Sequence, residues 1–252
     1  MKKALLLVDR GSKEQDVKDE LYEICTIAKE RGDYYFSDYA FLEVIPPYIE
    51  EGINSCVKHG AEFLTIMPYF LYPGLKLKLA VERSEKISRE LGLKFAVTEC
   101  LNYHDKLIDV VRDRINEVKQ KEQINYSDNE CDILLIGHGS SDKDARKAFV
   151  YVADSIKSTY RNVGFCFLEL DSPNIGEGIR QALEKNPKAL ILVPYFLHHG
   201  AHIKRDVKEE VSKALKESNS SKLYMARHLG VDSKIIDVVI ERAREVEQKF
   251  GI

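Results

Sequence analysis

The sequence has no long hydrophobic run, and this absence limits the classes of protein to which it can belong. Its longest apolar runs, at residues 4–8 and 189–193, are far shorter than the roughly 20 residues that a helix needs to span a bilayer. The first run is followed at once by Asp9 and Arg10, which indicates a first buried strand rather than a signal peptide. We therefore predict a cytoplasmic protein that does not contact a membrane.

Cysteines are few and are not arranged for binding a metal. The sequence has five, and none forms a Cys-x-x-Cys pair. Scattered cysteines in odd number argue against a disulfide framework and against a structural zinc site made of thiolates. We predict buried free thiols in a reducing compartment.

An excess of charge of one sign is also missing. Lysine and arginine number 38 against 41 aspartates and glutamates, which gives a formal net charge of -3. Because the two signs are mixed and neither half is strongly basic, we predict no binding of nucleic acid. The hydrophobic fraction of 44% is enough for a proper core.

The main feature that is present is an internal repeat. Four segments recur in the same order with nearly the same spacing: 4–12 with 132–140, 41–53 with 167–179, 68–74 with 194–200, and 107–111 with 235–239. The polar stretch at residues 119–130 indicates the end of a helix followed by a linker. The sequence therefore predicts two copies of one domain, over residues 1–126 and 127–252.

Each copy alternates short apolar runs with longer amphipathic segments. In the second copy the runs lie at 132–136, 162–168, 189–193 and 222–226, and the helical patterns at 142–159, 174–184, 204–217 and 233–248. Apolar runs without alternation are typical of strands buried on both faces, and strand–helix alternation gives a parallel sheet covered by helices. We predict two tandem doubly wound, Rossmann-like α/β domains, each with a mainly parallel four-stranded sheet, facing each other across a cleft.

Three polar residues of the second copy follow predicted strands. His138 follows the first strand, Glu169 ends the second, and His202 comes after the third. Ligands of open parallel sheets bind beyond the carboxyl ends of the strands, and imidazole and carboxylate suit borderline divalent ions such as cobalt, nickel, iron and zinc. We predict that these three side chains bind a metal ion. Asp206, four residues after His202, is predicted to share its helix face and to support its ring.

The first copy keeps the scaffold but changes these positions. In the same order along the chain it carries Arg10, Glu43, Lys76 and Ala80. Arginine and lysine are cationic near neutral pH and are poor metal ligands, but they suit the carboxylates of an anionic substrate. We predict that Arg10, Lys76 and Glu43 bind substrate; the alternative is that the two cations are solvated surface charges.

The other histidines have weaker support. His198 and His199 follow the third strand and are either further ligands, a relay for metal entry, or exposed loop residues. His59, His104 and His228 belong to no pattern, and we expect structural roles for them.

At these positions the sequence resembles the sirohydrochlorin chelatases, the cobalt- or iron-inserting class II chelatases of cobalamin and siroheme synthesis. The resemblance is carried by residues 134–140, 167–169 and 193–202, together with Asp206. It covers the whole chain, since the long form of that family is a fused tandem of the short form. It implies a lyase that holds a planar tetrapyrrole in the cleft between its domains.

The resemblance also implies roles for individual residues. His138 and His202 would bind the incoming metal, and Glu169 would help to bind it or accept the pyrrole protons. The divalent metal would be a substrate, cobalt first with iron or nickel as alternatives, and no organic cofactor or ATP would be needed. Around a substrate with many carboxylates, Arg146 and Lys204 are further candidate contacts. The internal repeat removes the need for a dimer but does not forbid one, so we expect a monomer or a homodimer.

Two other interpretations remain. A carrier with a chelatase-like fold would hold a metal or a tetrapyrrole without turnover, and the altered first copy favours it. A nucleotide-binding or hydrolytic enzyme would use the loop at residues 137–140. That loop lacks a full Gly-x-Gly-x-x-Gly, a Walker lysine and the Gly-x-Ser-x-Gly of a nucleophile elbow, which argues against this second alternative.

Overall fold

The computed structural model describes residues 1–198, 200, 202–218 and 222–252, and gives only the backbone at 202–204, 214, 215, 217 and 218. The chain divides into two compact units. The first comprises Met1–His104 with Val231–Ile252, and the second comprises Asp105–Gly230.

The first unit contains a four-stranded parallel sheet in the order β2-β1-β3-β4. Its elements are β1 (Lys3–Asp9), α1 (Gln15–Gly32), β2 (Phe36–Phe41), α2 (Ile49–Lys58), β3 (Phe63–Pro68), α3 (Leu75–Glu90), β4 (Phe95–Val97) and α8 (Ser233–Glu247). The central strands β1 and β3 are apolar and buried, because helices cover both faces of the sheet.

The second unit repeats this design with the strand order β6-β5-β7-β8. Its elements are α4 (Asp105–Lys121), β5 (Cys131–Gly137), α5 (Lys143–Ile156), β6 (Asn162–Phe167), α6 (Ile175–Leu183), β7 (Ala189–Pro194), a π-helical turn (His202–Val207), α7 (Lys208–Ser218) and β8 (Leu223–Met225). The predicted fold class, two tandem doubly wound α/β domains with parallel four-stranded sheets, is confirmed.

The compact units do not follow the predicted division between residues 126 and 127. Helix α4 comes from the first repeat but belongs to the second unit, and α8 comes from the second repeat but belongs to the first. The two helices carry the same apolar pattern, at residues 107–111 in α4 and 235–239 in α8. Because either helix could cover either sheet with this pattern, the sequence does not show which sheet each helix covers. The sequence therefore locates the repeats but does not reveal that their last helices are exchanged.

The five cysteines agree with the sequence prediction, since all are free and buried. Burial raises the pKa of the Cys56 and Cys166 thiols to about 12. These two side chains are therefore neutral and contribute to packing rather than to metal binding. Among the helices of the described residues, none has the length and apolar character that a bilayer crossing requires.

Helix α8 is fixed to the first sheet by one buried carboxylate. Glu247 is only 1% exposed, and it accepts hydrogen bonds from the Tyr34 hydroxyl at 2.8 Å and the Thr65 hydroxyl at 2.7 Å. The Lys3 ammonium lies 2.8 Å from its second oxygen. Burial and the neighbouring carboxylate raise the pKa of Tyr34 well above its ordinary value, so the phenol keeps the proton that it donates. The network joins the carboxyl end of α8 to strands β1 and β3.

Replacement of Glu247 by alanine is therefore expected to lower the free energy of unfolding by about 3–5 kcal/mol, the usual cost of breaking a buried charge pair. The variant removes the acceptor of three donors, two of them hydroxyl groups on buried side chains. Chemical denaturation measures the change. Glu245→Ala, which removes an exposed carboxylate from the same helix, is the control and should change stability by less than about 1 kcal/mol. Equal effects of the two variants would contradict this account of how α8 is held.

Candidate functional site

The topology decides where a site can form in each unit. In the first unit, the connection after β1 leads to the edge strand β2 on one side, and the connection after β2 leads to β3 on the other side of β1. The chain thus turns to opposite sides of β1 in these two connections. Ligands of doubly wound sheets bind at such a switch point, beyond the carboxyl ends of the strands. The candidate residues of both repeats follow these strand ends.

In the second unit the structure brings His138 and Glu169 together. The imidazole Nε2 of His138 lies 3.1 Å from the Oε1 of Glu169. Backbone hydrogen bonds continue beyond the ends of β5 and β6, from Leu168 N–H to the Gly137 carbonyl at 2.9 Å and from Glu169 N–H to the His138 carbonyl at 3.0 Å. This extension of the sheet holds the two side chains side by side. The side chains of His138 and Glu169 are 26% and 48% exposed, although the His138 Nε2 atom itself is buried.

Gly139 is essential to this arrangement. Its φ is +90°, and a Cβ atom at this position would lie 1.7 Å from the Glu169 carbonyl oxygen. The equivalent Gly11 of the first unit has φ +108° and would bring a Cβ to 2.2 Å from the Glu43 carbonyl oxygen. Only glycine lets the loop after the first strand pass so close to the backbone of the glutamate. The recurrence of Gly-Ser at residues 11–12 and 139–140 was the available signal.

The third predicted ligand, His202, lies at the start of the π-helical turn His202–Val207, and its side chain is outside the described residues. Asp206 lies in the same turn and is exposed. The predicted pairing of these residues assumed the spacing of an α-helix, whereas a π-helix closes i→i+5 hydrogen bonds and shifts that spacing. The pairing stays a prediction. His198 is half-buried, and His199 lies outside the described residues.

The first unit brings together the three residues predicted to bind substrate. Both cations contact the same carboxylate: Arg10 Nε lies 3.1 Å from Glu43 Oε1, and Lys76 Nζ lies 2.6 Å from Glu43 Oε2. The hydrogen bond from Lys76, with that from Arg10, lowers the pKa of Glu43 below its ordinary value although partial burial opposes the shift. The cluster therefore holds two positive charges and one negative charge at neutral pH, an excess of one positive charge.

The two units thus place different chemistry at equivalent strand ends. The pair of His138 and Glu169 offers a nitrogen ligand and a carboxylate base, whereas the cluster of Arg10, Glu43 and Lys76 offers cations to an anion. Among the side chains that the structure describes, no group of three His, Cys, Asp or Glu residues is arranged to hold a metal ion. The assignment of His202 as the third ligand stays a prediction, since its side chain is outside the described residues.

Arg146, a further candidate substrate contact, has a different role in the structure. Its guanidinium pairs with the carboxylate of Asp171 and lies over the ring of Phe167, 5.2 Å from the ring centroid. It also contacts the Ser172 carbonyl. These contacts hold the turn after β6, and a contact of Arg146 with substrate stays a prediction. The side chain of Lys204, the other candidate, is outside the described residues.

Two of the remaining histidines have contacts that agree with structural roles. The ring of His59 stacks on Phe36 with a centroid distance of 3.9 Å, and its Nδ1 lies 2.8 Å from the Ser55 carbonyl oxygen. The Nε2 of His104 lies 3.1 Å from a carboxylate oxygen of Glu241.

Comparison with known proteins matches the chain to one family. The sequence model of the CbiX family matches the chain twice, over residues 4–118 and 132–246. These two segments make up most of the chain and coincide with the two repeats.

Curated relatives align over nearly the whole chain. A sirohydrochlorin cobaltochelatase of Priestia megaterium is 25% identical over 247 residues, which cover 96% of this chain and 79% of the relative. A sirohydrochlorin ferrochelatase of the same organism is 24% identical over 252 residues, which cover 98% of this chain and 92% of the relative. The relatives therefore include enzymes named for cobalt and enzymes named for iron.

Solved structures share the fold. The structure of SirB from Bacillus subtilis with Fe3+ superimposes with a TM-score of 0.84 at 24% identity, covering 100% of this chain and 98% of that chain. SirB from Bacillus subtilis subspecies spizizenii in complex with cobalt gives a TM-score of 0.80 at 22% identity. The likeness extends over both units.

Proposed function

Since the chain belongs to the CbiX family, we propose that it is a sirohydrochlorin chelatase, a lyase that inserts a divalent metal ion into the tetrapyrrole. The observation that carries this proposal is the contact of His138 with Glu169 at the carboxyl ends of β5 and β6. Relatives that span nearly the whole chain and are named for this activity support it. Cobalt is the first candidate metal, with iron and nickel as alternatives, because these ions share imidazole and carboxylate ligands.

The proposed chemistry needs a ligand that gives up the metal and a base that takes up protons. His138, with His202, would hold the incoming ion through neutral imidazole nitrogens, which release it more readily than thiolates. As the macrocycle nitrogens bind the metal, two pyrrole N–H protons must leave. Glu169 would accept a proton directly or through a water molecule, and its half-exposed carboxylate can pass the proton to solvent. Metal enters and two protons leave, so no oxidant, reductant or organic cofactor is required.

We assign substrate binding in the first unit to Arg10 and Lys76, with Glu43 holding both side chains in place. The excess positive charge of the cluster favours the carboxylates of the macrocycle. We further propose that the protein acts in the cytoplasm as a monomer or a homodimer and binds no nucleic acid.

The substrate-binding assignment predicts the effect of removing one cation. Arg10→Ala and Lys76→Ala are each expected to raise the Michaelis constant for the tetrapyrrole by about tenfold, the lower range for a charge-assisted contact, because Glu43 already neutralises part of the charge. Dependence on metal concentration should stay the same. Because the pKa of Glu43 is lowered, the cluster stays ionised from neutral pH down to about pH 5, and the effect should persist over that range.

Lys78→Ala is the matched control, since it removes an exposed lysine from α3, the helix that carries Lys76. This variant should have the same Michaelis constant as the parent protein. The assays are carried out at low salt, where interactions between charges are least screened. Parent-like Michaelis constants for both Arg10→Ala and Lys76→Ala would identify these cations as surface charges.

The proposed activity is tested by following the absorbance of sirohydrochlorin with cobalt, iron and nickel in separate assays. An enzyme accelerates insertion of at least one metal with multiple turnovers. The alternative, a non-catalytic carrier, would bind the metal or the tetrapyrrole stoichiometrically without accelerating insertion. Because the first unit lacks the His residues of the second, this alternative has a basis in the sequence, and the turnover number decides between the two.

A further inference from the structure

A strained turn follows the glutamate of the first unit. Val44 has φ +78°, and the hydrogen bond from Ile45 N–H to the Glu43 carbonyl, at 3.0 Å, encloses it in a three-residue γ-turn. With a positive φ at its centre this is the classic form of the turn, which is rare and strained. A β-branched residue at positive φ is a genuine outlier, since its side chain crowds the backbone.

The second unit has a positive φ at the equivalent position. Leu170, directly after Glu169, has φ +60°. Both side chains are exposed, Val44 to 44% and Leu170 to 70%. They therefore add little to the hydrophobic cores, and core packing does not explain why an apolar residue occupies a position that glycine or asparagine would fill with less strain.

The neighbouring contacts keep these turns in their strained form. After each turn, a backbone hydrogen bond joins the following segment to the end of the preceding strand. In the first unit Phe41 N–H, at the end of β2, donates to the Pro47 carbonyl at 2.7 Å. In the second unit Phe167 N–H, at the end of β6, donates to the Pro173 carbonyl at 2.9 Å. In the second unit the pair of Arg146 and Asp171 adds a further tie. Strain that is held in this way is typical of functional sites.

The surroundings of the two residues indicate what they bind. In the first unit Val44 follows Glu43, and the carboxylate of Glu43 contacts Arg10 and Lys76. Leu75, next to Lys76, is 68% exposed at the start of α3. This end of the first sheet therefore offers exposed apolar side chains beside cations. A planar, apolar ring with carboxylates at its edge complements such a surface in polarity and charge.

We propose that Val44 is an apolar contact for the ring of the tetrapyrrole beside the cluster of Arg10, Glu43 and Lys76, and that Leu170 is the equivalent contact beside Glu169. This inference rests on the proposed function. Each residue combines a positive φ with an exposed side chain, directly after Glu43 in the first unit and directly after Glu169 in the second. The strain in each turn thus keeps an apolar side chain accessible beside a polar site.

The experiment measures binding and stability in the same variants. Val44→Gly and Leu170→Gly remove the side chain and relieve the strain, so the free energy of unfolding should stay equal or rise. Val44→Asn and Leu170→Asn keep a side chain that tolerates positive φ but make it polar. Titration of metal-free sirohydrochlorin, followed by its fluorescence, should give dissociation constants about fivefold higher for all four variants. Val57→Ala, which shortens an exposed valine on α2, is the control and should bind as the parent does.

The outcomes separate this inference from the proposed function. A parent protein that binds no sirohydrochlorin would overturn both. A parent that binds, with variants that bind equally well, would overturn the inference and leave the function standing. If only the glycine variants bind weakly while the asparagine variants match the parent, the turn conformation rather than the apolar contact matters, and the inference is again overturned. Weaker binding of sirohydrochlorin by both the glycine and the asparagine variants, without loss of stability, supports the inference.

Discussion

Replacement of His138 by alanine is expected to reduce the rate of metal insertion by about 100-fold or more. Loss of a group that only supports a metal ligand typically costs about 10- to 100-fold, and loss of the ligand itself should cost at least as much. The side chain is about a quarter exposed and follows the end of β5, so the protein should remain folded. Initial rates at several metal concentrations, with circular dichroism to check folding, measure the effect. His202→Ala is expected to give a similar loss.

His59→Ala is the control for this experiment, since His59 stacks on Phe36 and lies at the end of α2, outside the proposed site. It should retain the activity of the parent. If His138→Ala, His202→Ala and His59→Ala were equally active, the assignment of the metal site to the second unit would be wrong.

Replacement of Gly139 by alanine is expected to damage both stability and activity. The new methyl group would lie 1.7 Å from the Glu169 carbonyl oxygen, so the backbone on one side must move. We expect the free energy of unfolding to fall by about 3 kcal/mol or more, from overpacking together with a strained positive φ. Because Glu169 lies on the strand end that must shift, metal insertion should fall by about 100-fold, the typical cost of misplacing a reacting group by about 1 Å.

Gly92→Ala separates the effect of the positive φ from the effect of the close contact. Gly92 also has a positive φ, +65°, but no atom lies within 4 Å of a Cβ built there. This control should lose only about 1 kcal/mol of stability and should keep full activity. A Gly139→Ala variant as stable and active as Gly92→Ala would contradict the close approach of the loop to the Glu169 backbone.

Much of the site could be predicted from the sequence, because its residues follow strand ends and recur in both repeats. The contacts of His138 with Glu169, and of Arg10 and Lys76 with Glu43, follow from parallel strands that end at one edge of a sheet. The repeat also showed which positions had changed between the copies.

Other features could not be predicted, for different physical reasons. The need for glycine at position 139 arises from a tertiary approach to the Glu169 carbonyl, which spacing along the chain does not reveal. Val44 was not expected in a strained turn, since valine favours extended backbone. The spacing of His202 and Asp206 suggested an α-helix, whereas the hydrogen-bond pattern there is that of a π-helix. Composition and periodicity carry little information on such local departures from regular structure.

The exchange of α4 and α8 has a consequence for the order in which the protein folds during synthesis. The second unit is one continuous segment, Asp105–Gly230, and all of its strands and helices have been made once that segment leaves the ribosome. The first unit must wait for residues 231–252, because Glu247 of α8 accepts the hydrogen bonds of Tyr34 and Thr65. At about 5–20 residues per second, the sheet that is synthesised first spends on the order of ten seconds or more without its last helix. The unit that begins the sequence is therefore the last to become complete.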